Sequence, residues 1–158
     1  MKLTDIVVTD AIVPDLESQD RDEVLRALVD KLVAAGAAGT DSGDELMERL
    51  LAREGMGSTG FGRGVAVPHV KHPSITRMAA AIGLSQRGIE FNALDRQPVY
   101  SVFLLLSPKD KPEEHLQAME TIFKNLSKDT FRRFLRQAES LEAVTTLLDD
   151  ADEQRLGG

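Results

Sequence analysis

The chain has 158 residues, 42% of them hydrophobic and 28% charged, which suits one globular domain with a core of its own. The absence of cysteine excludes disulfides, thiolate catalysis and cysteine-ligated metal centres. A formal net charge of −7, no tryptophan and a single tyrosine argue against nucleic acid as a partner.

The amino terminus mixes acidic with apolar residues, unlike a signal peptide. No apolar run approaches the roughly 20 residues that span a bilayer, so no membrane insertion is predicted and a cytoplasmic location is expected. "DIVVTDAIV", residues 5–13, reads as a short extended piece. Asp20 and Glu23 have capping-box spacing, and Val24, Leu25, Leu28, Leu32 and Val33 then repeat at helical period up to a stop at Gly36. A second helix is predicted from Ser42, with Glu45 three residues on and Leu46, Met47, Leu50 and Leu51 inward, ending at Gly55. The glycine-rich "GSTGFGRG" follows, then "VAVPH" as a strand. "MAAAIGLSQ" and "PVYSVFLLLS" read as two further strands, the latter apolar on both faces as a covered central strand must be. From Pro112 a helix is predicted with Leu116, Met119, Ile122, Phe123 and Leu126 inward. Shorter helices over "DTFRRFLRQ" and "LEAVTTLLD" come after it. This order describes an α/β sandwich, a small mixed sheet flanked by helices on both faces. It is read as one domain over 1–158, with its core at about 5–150 and a flexible tail over 151–158.

Four glycines fall within residues 57–64. Gly57 and Gly62 have P-loop separation, but Arg63 and Gly64 follow where a lysine and a hydroxyl residue are required. A kinase loop fails as well, because its third glycine would fall on Val65. Nucleotide binding is therefore not expected, and the loop reads as one that admits close approach of a charged group or another backbone.

The three histidines are His69, His72 and His115. His69-x-x-His72 has spacing compatible with two metal ligands, though only His115 and carboxylates would complete such a site; no metal and no cofactor is expected. His69 follows Pro68, which removes a donor and halts simple strand pairing. It reads either as a half-buried imidazole bonded to a carbonyl or as a nucleophile. His115 lies in the first turn of its helix, in line with the apolar stripe and directed at the sheet, where the dipole favours a neutral imidazole. It reads either as a capping or core residue or as a site residue. Arg53, in the last turn of the second helix, is either a favourable C-terminal cation or a guanidinium suited to a phosphoryl group.

The segment "REGMGSTGFGRGVAVPH", residues 53–69, resembles the active-site segment of phosphotransferase-system IIA components of the fructose, mannitol and nitrogen-regulatory class. The shared pattern is an arginine–glutamate pair, Gly-Ser-Thr-Gly-x-Gly, and a Pro-His preceded by a short apolar run. "EEHLQAM" matches a second family feature, a histidine–leucine pair at a helix start. The resemblance implies that His69 is phosphorylated by the histidine-containing phosphocarrier protein and passes the group to a IIB component, or that its phosphorylation state is itself a nitrogen-type signal. It makes His115 and Arg53 the polar supports of the transfer, and Ser58, Thr59 and Gly60 with nearby amides the phosphoryl cradle. Phe61 and Val70 are expected to give the partner an apolar contact. Val70 departs from the glycine that follows the histidine in relatives, and Lys71 and His72 lie beyond it. The chain reads as a stand-alone carrier, with a non-transferring binding module as the alternative.

Overall fold

The computed structural model describes residues 1–156. A one-turn helix, α1 (Leu3–Ile6), precedes β1 (Val7–Val13), so the extended segment begins two residues later than the sequence suggests. In α2 (Arg21–Ala34) the Asp20 carboxylate accepts the Glu23 N–H at 3.0 Å, a cap typically worth about 1 kcal/mol. The reciprocal half of the predicted box is absent, because Glu23 accepts instead from the Ser18 hydroxyl at 2.7 Å. Gly36 closes the helix in the left-handed region at φ 82°. The box expected at α3 (Gly43–Gly55) does not form: the Ser42 hydroxyl donates back to the Gly39 carbonyl, and Glu45 turns away toward His72.

The strands β2 (Gly60–Gly62), β3 (Val65–Ala66), β4 (His69–His72), β5 (Ala79–Ile89) and β6 (Val99–Pro108) join β1 in one six-stranded sheet. Its order is β1-β5-β6-β3-β2, with β4 also paired to β6. The sheet is mixed, since β3 and β4 run parallel to β6 while β5 runs antiparallel to it. The strand predicted over "VAVPH" is two strands with Pro68 in the gap. Pairing does not stop at the proline as expected: the Pro68 carbonyl accepts the Leu105 N–H at 2.9 Å, and β4 continues beside β6 from His69. A proline forfeits its donor but keeps its acceptor.

Side chains of β6 alternate between two cores. Val102, Leu104 and Leu106 pack with α2 and α3; Phe103 and Leu105 pack with α1, α4 (Pro112–Leu126), α5 (Asp129–Gln137) and α6 (Leu141–Asp152). Helices thus cover both faces of the sheet, as the apolar run of β6 requires. Leu116 is the exception to the predicted stripe. It is 67% exposed, because His115, Ala118, Ile122 and Leu126 take the buried face of α4. Residues 151–156 do not form the expected tail: α6 runs to Asp152, whose carboxylate accepts the N–H groups of Leu3 at 2.7 Å and Thr4 at 3.0 Å, and Leu156 packs against the second core. The remainder of that predicted tail lies outside the described residues. Among the described residues no helix is long and apolar enough to cross a membrane.

Candidate active site

The parallel register of β4 on β6 pairs His69 with Leu105, Lys71 with Ser107 and His72 with Pro108. Strand alternation sends His69, Lys71 and Ser107 to the face covered by α4, and Val70 and His72 to the face covered by α3. His69 is half-buried, and its Nδ1 lies 2.9 Å from the Val67 carbonyl. A carbonyl can only accept, so Nδ1 carries the hydrogen and Nε2 keeps its lone pair. The carbonyl contact read from the sequence is present, and it leaves the lone pair on the other ring nitrogen.

His115 stands beside it, with ring centroids 5.7 Å apart and the planes tilted by 49°. It is buried at the start of α4, and its Nδ1 lies 2.6 Å from the Ser107 hydroxyl. Burial, then the positive charge of Lys71 and the neighbouring His69, lower its pKa from 6.5 to about 4, so the ring is neutral near pH 7. The Ser107 oxygen is also 3.0 Å from the Met78 sulfur. A thioether is a weak acceptor, so the hydroxyl hydrogen goes to His115 Nδ1 and Nε2 of that ring becomes a donor.

The glycine loop differs from its sequence reading. Thr59 is fully buried; its N–H reaches Glu54 Oε2 at 3.0 Å and its hydroxyl donates to Glu54 Oε1. The Ser58 hydroxyl donates to the Phe91 carbonyl at 3.1 Å and accepts the Gly60 N–H at 3.0 Å. The Ser58 and Thr59 hydroxyls and the Thr59 and Gly60 N–H groups, expected to cradle a phosphoryl group, instead hold the loop in shape. Gly60 has no room for a side chain, since an added Cβ would lie 2.8 Å from Ala93 Cβ. Arg53 caps the same loop, with Nη1 2.6 Å from the Gly57 carbonyl, and it remains partly exposed. Of the two residues expected to meet a partner, Phe61 is 39% exposed and packs edge-on to Phe123 of α4 at 5.1 Å. Val70 is buried in the core under α2 and α3 and offers nothing outward; the alternation that exposes His69 hides its neighbour.

His72 belongs to that opposite face. Its Nδ1 accepts the Ser74 N–H at 3.0 Å, with the Ser74 hydroxyl at 2.7 Å, and its Nε2 meets Glu45 at 2.9 Å. His69 and His72 therefore cannot converge on one ion, and the described residues contain no group of three or more His, Asp or Glu set to hold a metal. Sequence reasoning misses Ser107, Lys71 and Glu54. Glu54 is visible only as half of an arginine–glutamate pair, and nothing in the local sequence marks a serine eight residues before His115 as its partner.

Residues 5–151 match the family described as "Phosphoenolpyruvate-dependent sugar phosphotransferase system, EIIA 2". A nitrogen regulatory protein of Bradyrhizobium diazoefficiens is 34% identical over 94% of this chain and 95% of its own length. The fructose-specific EIIABC component of Bacillus subtilis is 31% identical over 97% of this chain, which spans 24% of that larger protein. The crystal structure of nitrogen regulatory protein IIA-Ntr from Neisseria meningitidis superposes with a TM-score of 0.80 at 29% identity, covering 91% of this chain and 97% of that one.

Proposed function

The chain belongs to the EIIA 2 family of the phosphoenolpyruvate-dependent sugar phosphotransferase system, and from that premise we propose that it is a phosphocarrier whose nucleophile is Nε2 of His69. The observation that carries the reading is the pairing of His69 Nδ1 with the Val67 carbonyl on a half-buried ring. The donor is the phosphohistidine of the histidine-containing phosphocarrier protein. Its P–N bond breaks with the electron pair leaving on the donor ring, and a new P–N bond forms on Nε2. The Nδ1 hydrogen stays in place, so the phosphorylated ring carries a positive charge that the Val67 carbonyl stabilises.

A transfer of this kind needs alignment and charge stabilisation more than covalent assistance. His115, neutral and turned by Ser107 to present Nε2–H, donates to a phosphoryl oxygen. Lys71, on the same face of β4, supplies positive charge. Arg53 keeps most of its donor fork beyond the single bond to Gly57. The glycine loop contributes shape instead of hydroxyl donors. Phe61 and the exposed Leu116 beside His115 give donor and acceptor proteins an apolar footing.

The acceptor is a IIB component or a regulatory target; similarity over nearly the full length of a nitrogen regulatory protein supports the second. Incubation with phosphoenolpyruvate, the first enzyme of the system and the carrier protein tests the reading. Acid-labile, base-stable phosphate on the wild type that vanishes in His69→Gln supports it. An unlabelled wild type would favour a binding module that does not transfer. Addition of candidate IIB proteins to the labelled chain then identifies the acceptor.

A further inference from the structure

A second concave site lies at the other end of β6. A cavity of about 520 Å³ opens between α5, the turn joining β2 to β3, and the start of β6, within the range of small-molecule pockets. Arg63, Arg132, Arg133 and Arg136 line it, with Tyr100 and Ser101 on the sheet side. Ser101 precedes Leu105, the register partner of His69, by four positions on β6, roughly 13 Å along a strand. Arg63 and Gly64 continue the glycine loop, but none of Arg53, His69, Lys71, Ser107 and His115 lines this cavity.

The charge here runs against that of the whole chain, which is −7. Asp129, also at the cavity, pairs with Arg132. Among the described residues Arg63, Arg133 and Arg136 have no carboxylate within ion-pair distance. One guanidinium is held in place by its side chain, and one arginine is fixed through its backbone. Arg136 stacks on the Tyr100 ring, its central carbon 3.5 Å from the ring centroid. Arg63 sits at φ 58° between two left-handed glycines, its N–H fixed to Asp95 at 3.0 Å, a conformation that a bulky residue adopts only under constraint. Because Arg136 already covers the aromatic face, the site presents guanidinium edges and no open ring on which a base would stack.

We propose that this cavity binds a small anion bearing two adjacent phosphate groups. Planar guanidinium forks match phosphate oxygens bidentately, and four of them against one carboxylate call for a ligand of several negative charges. The concave shape favours a small molecule over an acidic protein segment.

Calorimetric titration of the full chain with inorganic pyrophosphate tests the proposal. The expected result is saturable single-site binding that weakens with added salt and survives in His69→Gln, which separates this cavity from the phosphoryl site. Arg133→Gln and Arg136→Gln are each expected to weaken binding by about tenfold, as loss of a charge-assisted bond does, while labelling on His69 reports that they still fold. Arg63→Asn, which tolerates the left-handed turn, is expected to weaken it too and provides a second probe should the helix variants not fold. Adenosine diphosphate should bind no tighter than pyrophosphate. The proposal is overturned if pyrophosphate gives no saturable binding, if binding is lost in His69→Gln and kept in the arginine variants, or if only poly-glutamate binds.

Discussion

His69 and His72 stand on the same four-residue strand, yet their environments differ in the one respect that matters for chemistry. His72 faces α3 and has both ring nitrogens engaged, by Ser74 and by Glu45. His69 faces α4 and has one engaged, by a carbonyl that fixes where its hydrogen sits. The difference follows from strand alternation and from a proline that leaves the Val67 carbonyl within reach of the ring two residues on. Of the two rings, His69 is the one that leaves a nitrogen without a bonded partner among the described residues.

Exchanging the two rings in turn is the sharpest way to break that contrast. His69→Gln should abolish phosphoryl uptake from the carrier protein completely. His72→Gln should still be labelled, while losing about 1–2 kcal/mol of stability from its buried bonds; loss of labelling with an intact fold would erase the distinction between the faces. The next largest effect concerns the neighbour across from His69. His115→Ala should slow transfer by about 10²–10³-fold, the usual consequence of removing one preorganised donor, with His69 still labelled after long incubation. Rapid-quench measurement of the transfer rate checks it.

A smaller effect, near tenfold in rate, is expected from Ser107→Ala. The substitution releases His115 from one tautomer without removing the ring. Nitrogen NMR shifts of the His115 ring should then report a mixture of tautomers in place of hydrogen on Nε2, a signature that a merely structural serine would not produce.

The smallest expected effect is on stability against pH. His115 titrates near 6.5 unfolded and about 4 folded, so between those values the unfolded state binds more protons. Its contribution is complete above about pH 6.5 and is lost progressively as the pH falls toward 4. Urea midpoints measured across that window should drop for the wild type and drop less for His115→Gln. Equal slopes would mean that the ring is not held neutral by the fold.

Much of this arrangement is legible in the amino-acid order alone. The helical stripe after Asp20, the central strand over "PVYSVFLLLS" and the bounds of α5 at "DTFRRFLRQ" follow from periodicity and turn residues, and the motif around His69 carries the family resemblance. Leu116 defeats that reading because periodicity counts apolar residues. His115, directed at the sheet as the sequence indicates and satisfied by Ser107, takes the inward position and turns its neighbour Leu116 out. The three-residue β2 is hidden in a glycine loop with no alternation to reveal it. Ser58 and Thr59 resemble phosphoryl donors because their bonds to Phe91 and Glu54 depend on how the loop folds back, which residue type alone does not tell. The arginine cavity escapes detection for the same reason: Arg63 lies far in sequence from the helix that completes it.

The central claim is that the His69 ring offers Nε2 while the Val67 carbonyl keeps the hydrogen on Nδ1. Nitrogen and phosphorus NMR of the chain labelled by its carrier protein tests this most directly. The account predicts a single phosphohistidine, at His69, with phosphorus coupled to Nε2 and hydrogen retained on Nδ1. Phosphorus on Nδ1, or on His72 or His115, would contradict it.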